Sequence, residues 1–318
     1  MLDDIKTKVS KVLNNKYMLY YTLIFAIVLE FIIFGSINSR FYSYNNIITV
    51  LRQISLYSIV AIGTTALLIS DSIDLSFGAL VGLAGAVTGV LLGAYDVPIV
   101  LAILGGISVS ALLGLFNGMI TQLLNLPAFI ITLATLFIAQ GLNFHITGGY
   151  AIPIPRGAFW TIGQGYLLGI PLPIIYMIVG FLVGGFWLSK TLAGRRVYAV
   201  GSNESAAYRA GISVKKVRIA LFTLHGILAG IGGVILAARL GAGTPMEGTE
   251  WLLNVKAAVI VGGASLSGGR GNLFGTLLGL IFIGFLANGM IMWGISPNIQ
   301  LVIKGLFIII AVWIQSKQ

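Results

Sequence analysis

Two carboxylates, three residues apart, are the side chains of this sequence best spaced for chemistry. Asp71 and Asp74 lie in the polar stretch SDSIDLSFG, residues 70–78, between two apolar segments. On a helix they would share one face, and paired carboxylates inside a membrane can bind a cation or carry protons. Alternatively they order the break or cap the following helix, whose N-terminus attracts negative charge. We favour this second interpretation.

Four further polar side chains lie inside apolar segments, where a bilayer makes them costly. They are Asn117, Asn143, Asn288 and Lys304. The three amides can line a path for a polar solute, or can hydrogen-bond between helices. Lys304 can contact a polar cavity or a carboxylate, or can form a structural pair. Together with Asp71 and Asp74, these residues are the candidates for a translocation path.

The sequence lacks the signatures of an enzyme. It contains no G-x-x-x-x-G-K-[ST] motif, so the chain is not expected to hydrolyse ATP itself. It has no cysteine and only two histidines, His145 and His225, which argues against a histidine–cysteine zinc site. His225 can relay protons or, as we favour, be a hydrogen-bonded packing residue. We therefore assign no catalytic residue and expect neither a metal nor a cofactor on this chain.

The composition is that of a membrane protein. Of 318 residues, 58% are hydrophobic and 9% are charged, whereas soluble domains have about 25% charged residues. The net charge is +10. Because the basic residues cluster at the ends of apolar segments, they are typical of cytoplasmic loops rather than of a nucleic-acid-binding surface.

The length allows roughly ten spans of about 20 residues, within a single transmembrane domain covering residues 1–318. Both termini are then expected in the cytoplasm, which fits the lysines before the first span. The predicted spans are 17–35, 46–69, 76–95, 98–119, 127–146, 166–188, 218–240, 251–266, 272–293 and 297–314.

An internal repeat accompanies these spans. Residues 61–83 align without gaps with residues 258–280, so that Ser70 matches Ser267. Later, residues 117–120 (NGMI) recur at 288–291, with a smaller offset, so the second copy lacks roughly one span. Such repeats, with interrupted helices near the solute path, are typical of transporters. The fold expected is therefore an all-α integral membrane protein with about ten transmembrane helices, an internal repeat and interrupted helices.

The longest polar interruption is the loop 189–217, between the sixth and seventh spans. Its centre can form a two-turn helix, which Ser202 or Asn203 can cap and Gly211 can end. Glu204 would lie at the positive end of the helix dipole. A short helix on a basic loop between spans is suited to docking a partner. The candidate docking residues are Arg195, Arg196, Asn203, Glu204, Tyr208 and Arg209.

Three stretches resemble the inner-membrane permease subunits of bacterial ATP-binding-cassette importers, in particular the ribose-type (carbohydrate uptake class 2) permeases. They are IDLSFG at residues 73–78, GRRVYAVGSNESAAYRAGISV at 194–214 and VGGASLSGGRG at 261–271. The resemblance covers the chain from about the first span to the C-terminus. It implies a type II-like importer permease in which loop 189–217 is the cytoplasmic coupling element.

The resemblance also implies the partners and the cargo. Two permease copies, identical or paralogous, would form one path in the bacterial inner membrane. Cytoplasmic ATPase subunits would bind ATP and magnesium, and an extracytoplasmic solute-binding protein would deliver the solute. That solute would be a small neutral molecule, most often a monosaccharide such as ribose, or else autoinducer-2 or a nucleoside. The alternative from another class is an ion-coupled secondary transporter, which would rely on Asp71, Asp74 and Glu30.

Overall fold

The structure, a computed structural model, describes residues 18–245, 247–248 and 250–315, which form a helical bundle. The helices are α1 (Met18–Ile37), α2 (Tyr44–Ile69), α3 (Phe77–Gly93), α4 (Ile99–Leu123), α5 (Ala128–Thr147), α6 (Thr161–Gln164), α7 (Leu172–Lys190), α8 (Leu192–Ser202), α9 (Glu204–Arg209), α10 (Val214–Leu240), α11 (Trp251–Val261), α12 (Leu273–Met292) and α13 (Pro297–Gln315). Two antiparallel strand pairs join β1 (Ile152–Pro153) to β4 (Ala242–Gly243), and β2 (Tyr166–Leu167) to β3 (Ile170–Pro171).

Seven helices of the described residues are long and apolar enough to cross a membrane. They are α1, α2, α4, α5, α7, α10 and α12. Helices α3 and α11 are also apolar but have only 17 and 11 residues. The prediction of an all-α membrane protein is confirmed, while the count of about ten spans stays a prediction.

Two predicted span boundaries differ from the structure by five residues or more. The sixth span begins at Leu172 rather than at residue 166, because residues 166–171 form the β2–β3 hairpin, whose Leu168 and Gly169 have positive φ. The eighth ends at Val261 rather than at residue 266. The polar loop is also more ordered than predicted, since α8, α9 and the first turn of α10 lie within it.

Helix α3 lies at the centre of the bundle, and most of its side chains are buried. Its glycines allow other backbone segments to approach closely. A Cβ atom on Gly85 would lie 3.1 Å from the Gly233 carbonyl oxygen of α10, and one on Gly89 would lie 2.8 Å from Gly243 Cα of β4. This packing places α10 on one side of α3 and the chain that follows β4 on another.

The repeat predicted from the sequence corresponds to two similar runs of helices. In the first, α2 is followed by a break at residues 70–76 and then by α3, α4 and α5. In the second, α11 is followed by a break at 262–272 and then by α12 and α13. The NGMI sequences lie on α4 and α12, so α12 matches the start of α3 and the end of α4.

Candidate functional site

Helices α8 and α9 form because the sequence supplies their caps and one apolar face. Thr191 Oγ1 accepts a hydrogen bond from the Gly194 amide (3.1 Å) at the start of α8. Asn203 Oδ1 accepts from the Ala206 amide (2.9 Å) at the start of α9, so Asn203 rather than Ser202 is the cap. Gly211, at φ +80°, follows the end of α9 as predicted.

The inward side chains of this helix pair are small and apolar. Val197 and Val200 of α8 and Ala207 of α9 are buried, and Val200 and Ala207 share a cluster with Val214 at the start of α10. The opposite side is exposed and basic. We call it the α8–α9 surface; its predicted docking residues are Arg195, Arg196, Asn203, Glu204, Tyr208 and Arg209, all exposed.

Glu204, one of these predicted residues, forms an ion pair with α10. Glu204 Oε2 lies 2.8 Å from Arg218 Nη1 of α10, and Arg218 Nε also donates to the Ser70 carbonyl oxygen (3.3 Å) after α2. The Arg218 side chain is only 12% exposed. Glu204 therefore helps to position α9 against α10 and the break after α2. Tyr208, by contrast, is 75% exposed and extends from the α8–α9 surface.

Both helix breaks meet the end of α8 at one place, which we call the junction: residues 69–71, 201–202 and 268–271. The Gly269 amide donates to the Ile69 carbonyl oxygen (2.8 Å). A Cβ atom on Gly201 would overlap that same oxygen, so only glycine allows α8 to approach so closely. A Cβ atom on Gly268 would lie 2.7 Å from the Gly201 oxygen and 2.8 Å from Asp71 Cβ. The junction thus joins two of the three stretches on which the family resemblance rests, 194–214 and 261–271, and lies just before the third, 73–78.

Tyr198 adds a side-chain contact beside the junction. Its hydroxyl group donates to the Gly271 carbonyl oxygen (2.8 Å). Burial raises the pKa of Tyr198, and the nearby Tyr20 raises it further. The phenol therefore keeps the proton that it donates, and it links α8 directly to the second break.

Asp74 is buried and belongs to a hydrogen-bonded network rather than to an open path. Its Oδ1 accepts from the Ser76 amide (2.7 Å) and from Ser76 Oγ (2.6 Å), and its Oδ2 lies 2.8 Å from His225 Nδ1 of α10. His225 Nε2 in turn lies 3.0 Å from Thr64 Oγ1 of α2. These contacts agree with our preferred interpretations of both Asp74 and His225.

Asn117 extends the same network across α4 to α5. Its Nδ2 donates to Ser76 Oγ (3.0 Å), and its Oδ1 accepts from Thr135 Oγ1 (2.6 Å). Both Asn117 and Thr135 are fully buried. The network therefore positions the start of α3 against α2, α4, α5 and α10.

Asp71 and Asp74 do not share a helix face, which leaves the interpretation that we favour, an ordered break before α3. Residues 70–76 form a break, in which Asp71 has φ +59° and an exposed side chain while Asp74 is buried. Glu30, the third carboxylate considered for ion coupling, is buried on α1, and both of its oxygens lack a hydrogen-bond partner among the described residues. Within those residues, no three His, Cys, Asp or Glu side chains form a group able to hold a metal ion.

The remaining path candidates occupy two places. Asn288 of α12 exchanges hydrogen bonds with Asn46 of α2 (3.0 and 3.1 Å), which is interhelical bonding. Asn143 donates to the Pro245 carbonyl oxygen (2.9 Å), and Lys304 Nζ donates to Asn254 Oδ1 (2.9 Å). Asn143 therefore contacts the chain between β4 and α11, and Lys304 contacts α11 itself.

Sequence reasoning missed the importance of the chain between β4 and α11. It runs beside α3, since a Cβ atom on Gly82 would lie 2.6 Å from the Glu247 carbonyl oxygen. Its Glu247 and Glu250 are exposed. The signals that could have indicated it are the glycines at 241 and 243, Pro245 and the shortness of the eighth span.

Comparisons with known proteins agree with this architecture. The family described as "Branched-chain amino acid transport system / permease component" matches residues 46–312. The chain is 36% identical over 313 residues to the ribose import permease protein RbsC of Haemophilus influenzae, covering 96% of each chain. It is 40% identical to RbsC of Bacillus subtilis, over 90% of this chain and 89% of that protein. It is 29% identical to the xylose transport system permease protein XylH of Escherichia coli, over 96% and 93%.

No solved structure matches the chain. The family match covers far more than half of the sequence, and the relatives are matched along almost their whole length. The chain therefore belongs to the ribose-type permeases of bacterial ATP-binding-cassette importers and is a membrane-spanning transporter subunit.

Proposed function

We propose that this chain forms the path by which a monosaccharide such as ribose enters the cell, and that ATP hydrolysis on partner subunits drives the transport. The observation that carries the proposal is the junction. One short helix pair with a basic exposed side contacts both helix breaks of the repeat. A partner that moves α8 would therefore act on α2 and α12 at once.

The α8–α9 surface suits an acidic groove on an ATPase subunit. Arg195, Arg196 and Arg209 are exposed and can pair with carboxylates of a partner, while Tyr208 can insert its ring. Asn203 and Glu204 act differently, because they hold α9 in place. Closure of the ATPase subunits on nucleotide would then shift the helix pair and switch the path between its outward-open and inward-open states.

The proposed assembly has two permease copies, ATPase subunits that bind ATP and magnesium, and an extracytoplasmic binding protein. In it, the whole chain is one transmembrane domain of about ten spans, with both termini and the loop 189–217 in the cytoplasm. The charge distribution supports this orientation, because α8, α9 and the start of α10 carry many basic residues.

Two observations support a neutral sugar as the solute. Several relatives are named ribose import permeases and others xylose permeases. In addition, Asp74, the fully buried carboxylate of the central network, is already hydrogen-bonded within the bundle. Autoinducer-2 and nucleosides are the alternatives within the same class of importer.

The test compares Arg209→Glu with Arg40→Glu, a matched exposed arginine between α1 and α2, distant in sequence from α8 and α9. We expect Arg209→Glu to lose co-purification with the ATPase and ATP-driven ribose uptake in proteoliposomes, because like charges would face each other across the contact. Arg40→Glu should retain co-purification.

Two results would contradict the proposal. One is normal uptake by Arg209→Glu at a normal protein level. The other is ribose uptake driven by an ion gradient without the ATPase, which would favour a secondary transporter.

A further inference from the structure

The chain between β4 and α11 lies at membrane depth. Glu247 contacts α3 at Gly82, five residues after Phe77 and eleven before Gly93. At 1.5 Å per residue, Gly82 is about 8 Å from one end of α3 and about 16 Å from the other. Glu247 is therefore located well inside the apolar thickness that α3 occupies.

Non-helical backbone at this depth must be enclosed by protein or border water, because lipid cannot hydrogen-bond its amides and carbonyls. Part of the segment is enclosed, since the Pro245 carbonyl oxygen accepts from Asn143. The Glu247 and Glu250 side chains are instead exposed. A carboxylate exposed to lipid is strongly unfavourable, so this face of the chain must border a polar space.

Two further polar groups belong to the same place. Asn254 lies one turn after Glu250 on α11, on the same helix face. Lys304 of α13 donates one of its three N–H groups to Asn254 Oδ1 at 2.9 Å, and its other two find no acceptor within hydrogen-bond distance in the described part of the chain. The ion pairs of the described residues involve neither Glu247 nor Glu250, and Glu250 makes no capping hydrogen bond.

We propose that Glu247, Glu250, Asn254 and Lys304 form a binding station for the hydroxyl groups of a neutral, polyhydroxylated solute within the path. Carboxylates accept hydrogen bonds from neighbouring hydroxyl groups, and the free N–H groups of Lys304 donate to hydroxyl or ring oxygens. Because the site carries charges of both signs, an acidic or a basic solute would meet a like charge, so a neutral solute is favoured over a charged one. This inference rests on the proposed function, because it places the solute of that importer on named side chains.

Cysteine labelling tests the station directly, because the natural chain contains no cysteine. Single variants Glu250→Cys and Asn254→Cys are made in the complete importer, with Phe137→Cys as control. Phe137 lies near the middle of α5 and is 64% exposed. Its neighbours in sequence, Leu136 and Ile138, are both apolar. The probe is a charged, membrane-impermeant thiol reagent, and labelling is read on this chain alone after separation of the subunits.

We expect Glu250→Cys to react at least about tenfold faster than Phe137→Cys, because the reactive thiolate forms only where water reaches the sulfur. Ribose, delivered by its binding protein, should slow the reaction at Glu250→Cys. Equal rates at Glu250→Cys and Phe137→Cys would overturn the proposal, as would rates at both station positions that ribose leaves unchanged.

A transport measurement separates this inference from the function on which it rests. Glu250→Gln should lower ribose uptake roughly tenfold through loss of a charge-assisted hydrogen bond, while the ATP hydrolysis stimulated by the binding protein continues. Asp96→Asn, an exposed acid outside the helices, should transport normally. If the unsubstituted chain imports ribose and Glu250→Gln matches it, the station is wrong and the importer stands. If the unsubstituted chain imports no sugar, the proposed function itself fails.

Discussion

Replacement of Asp74 by leucine is expected to lower the free energy of unfolding by about 3–5 kcal/mol, the cost of removing one partner from a buried, charge-assisted contact. The magnitude follows from the contacts. The carboxylate accepts two hydrogen bonds from Ser76 and lies 2.8 Å from His225 Nδ1. The variant leaves these donors buried and without an acceptor, and each such group is costly.

A double-mutant cycle isolates the contact with His225. Asp74→Leu and His225→Leu should each be strongly destabilising. The double variant should cost at least about 1 kcal/mol less than their sum, because contacting residues are not additive. The measurement is an unfolding titration of the purified chain in mixed micelles.

Asp71→Asn is the control, since this aspartate is three residues away but exposed, and asparagine also tolerates its φ of +59°. Substitutions at such surface positions are usually within about 0.5 kcal/mol of neutral. If Asp74→Leu were as mild as Asp71→Asn, the buried network would not hold the start of α3, and the reasoning would be refuted. Strict additivity in the cycle would refute the pairing with His225 alone.

Three further substitutions test other contacts. Gly201→Val should abolish ATPase co-purification, because its Cβ atom would overlap the backbone at the end of α2, whereas Gly185→Val, with open space around it, should retain it. Tyr198→Phe should destabilise the chain by about 1 kcal/mol in the same unfolding titration, through loss of the hydrogen bond to Gly271; an unchanged free energy would show that the bond contributes nothing. Glu30→Met should raise the thermal midpoint, because it removes two buried oxygens without partners among the described residues; a lower midpoint would contradict this.

Features set by short-range rules were predictable from the sequence. The end of α2 at residue 69, the break after it and a cap at Ser202 or Asn203, of which the structure has Asn203, follow from apolar run length and from local side-chain hydrogen bonds. The repeat was also recognisable, because glycines and NGMI recur in order. Each of these depends on residues close together in the chain.

Features set by tertiary contacts were not predictable. The spacing of Asp71 and Asp74 indicates a shared face only if the segment is helical, whereas residues 70–76 form a break that contacts α10 through Ser70 and Asp74. The helical state of α8 was missed because Arg195 and Arg196 make it appear to be a solvated loop. The course of the chain beside α3 depends on a close approach at Gly82, which no local pattern encodes.

The junction links the two proposals through the connectivity of the helices. The Gly269 amide joins the second break to the end of α2, and the first break leads directly into α3. The chain that contains Glu247 packs against α3 at Gly82. A displacement of α8 would therefore reach the station through α3 rather than through α13. We accordingly expect ATP to change the labelling rate of Glu250→Cys in the complete importer. Gly201→Val, which separates α8 from α2, should remove that change while leaving the rate without ATP unchanged. An ATP effect that persists in the double variant would show that the station is controlled by another route.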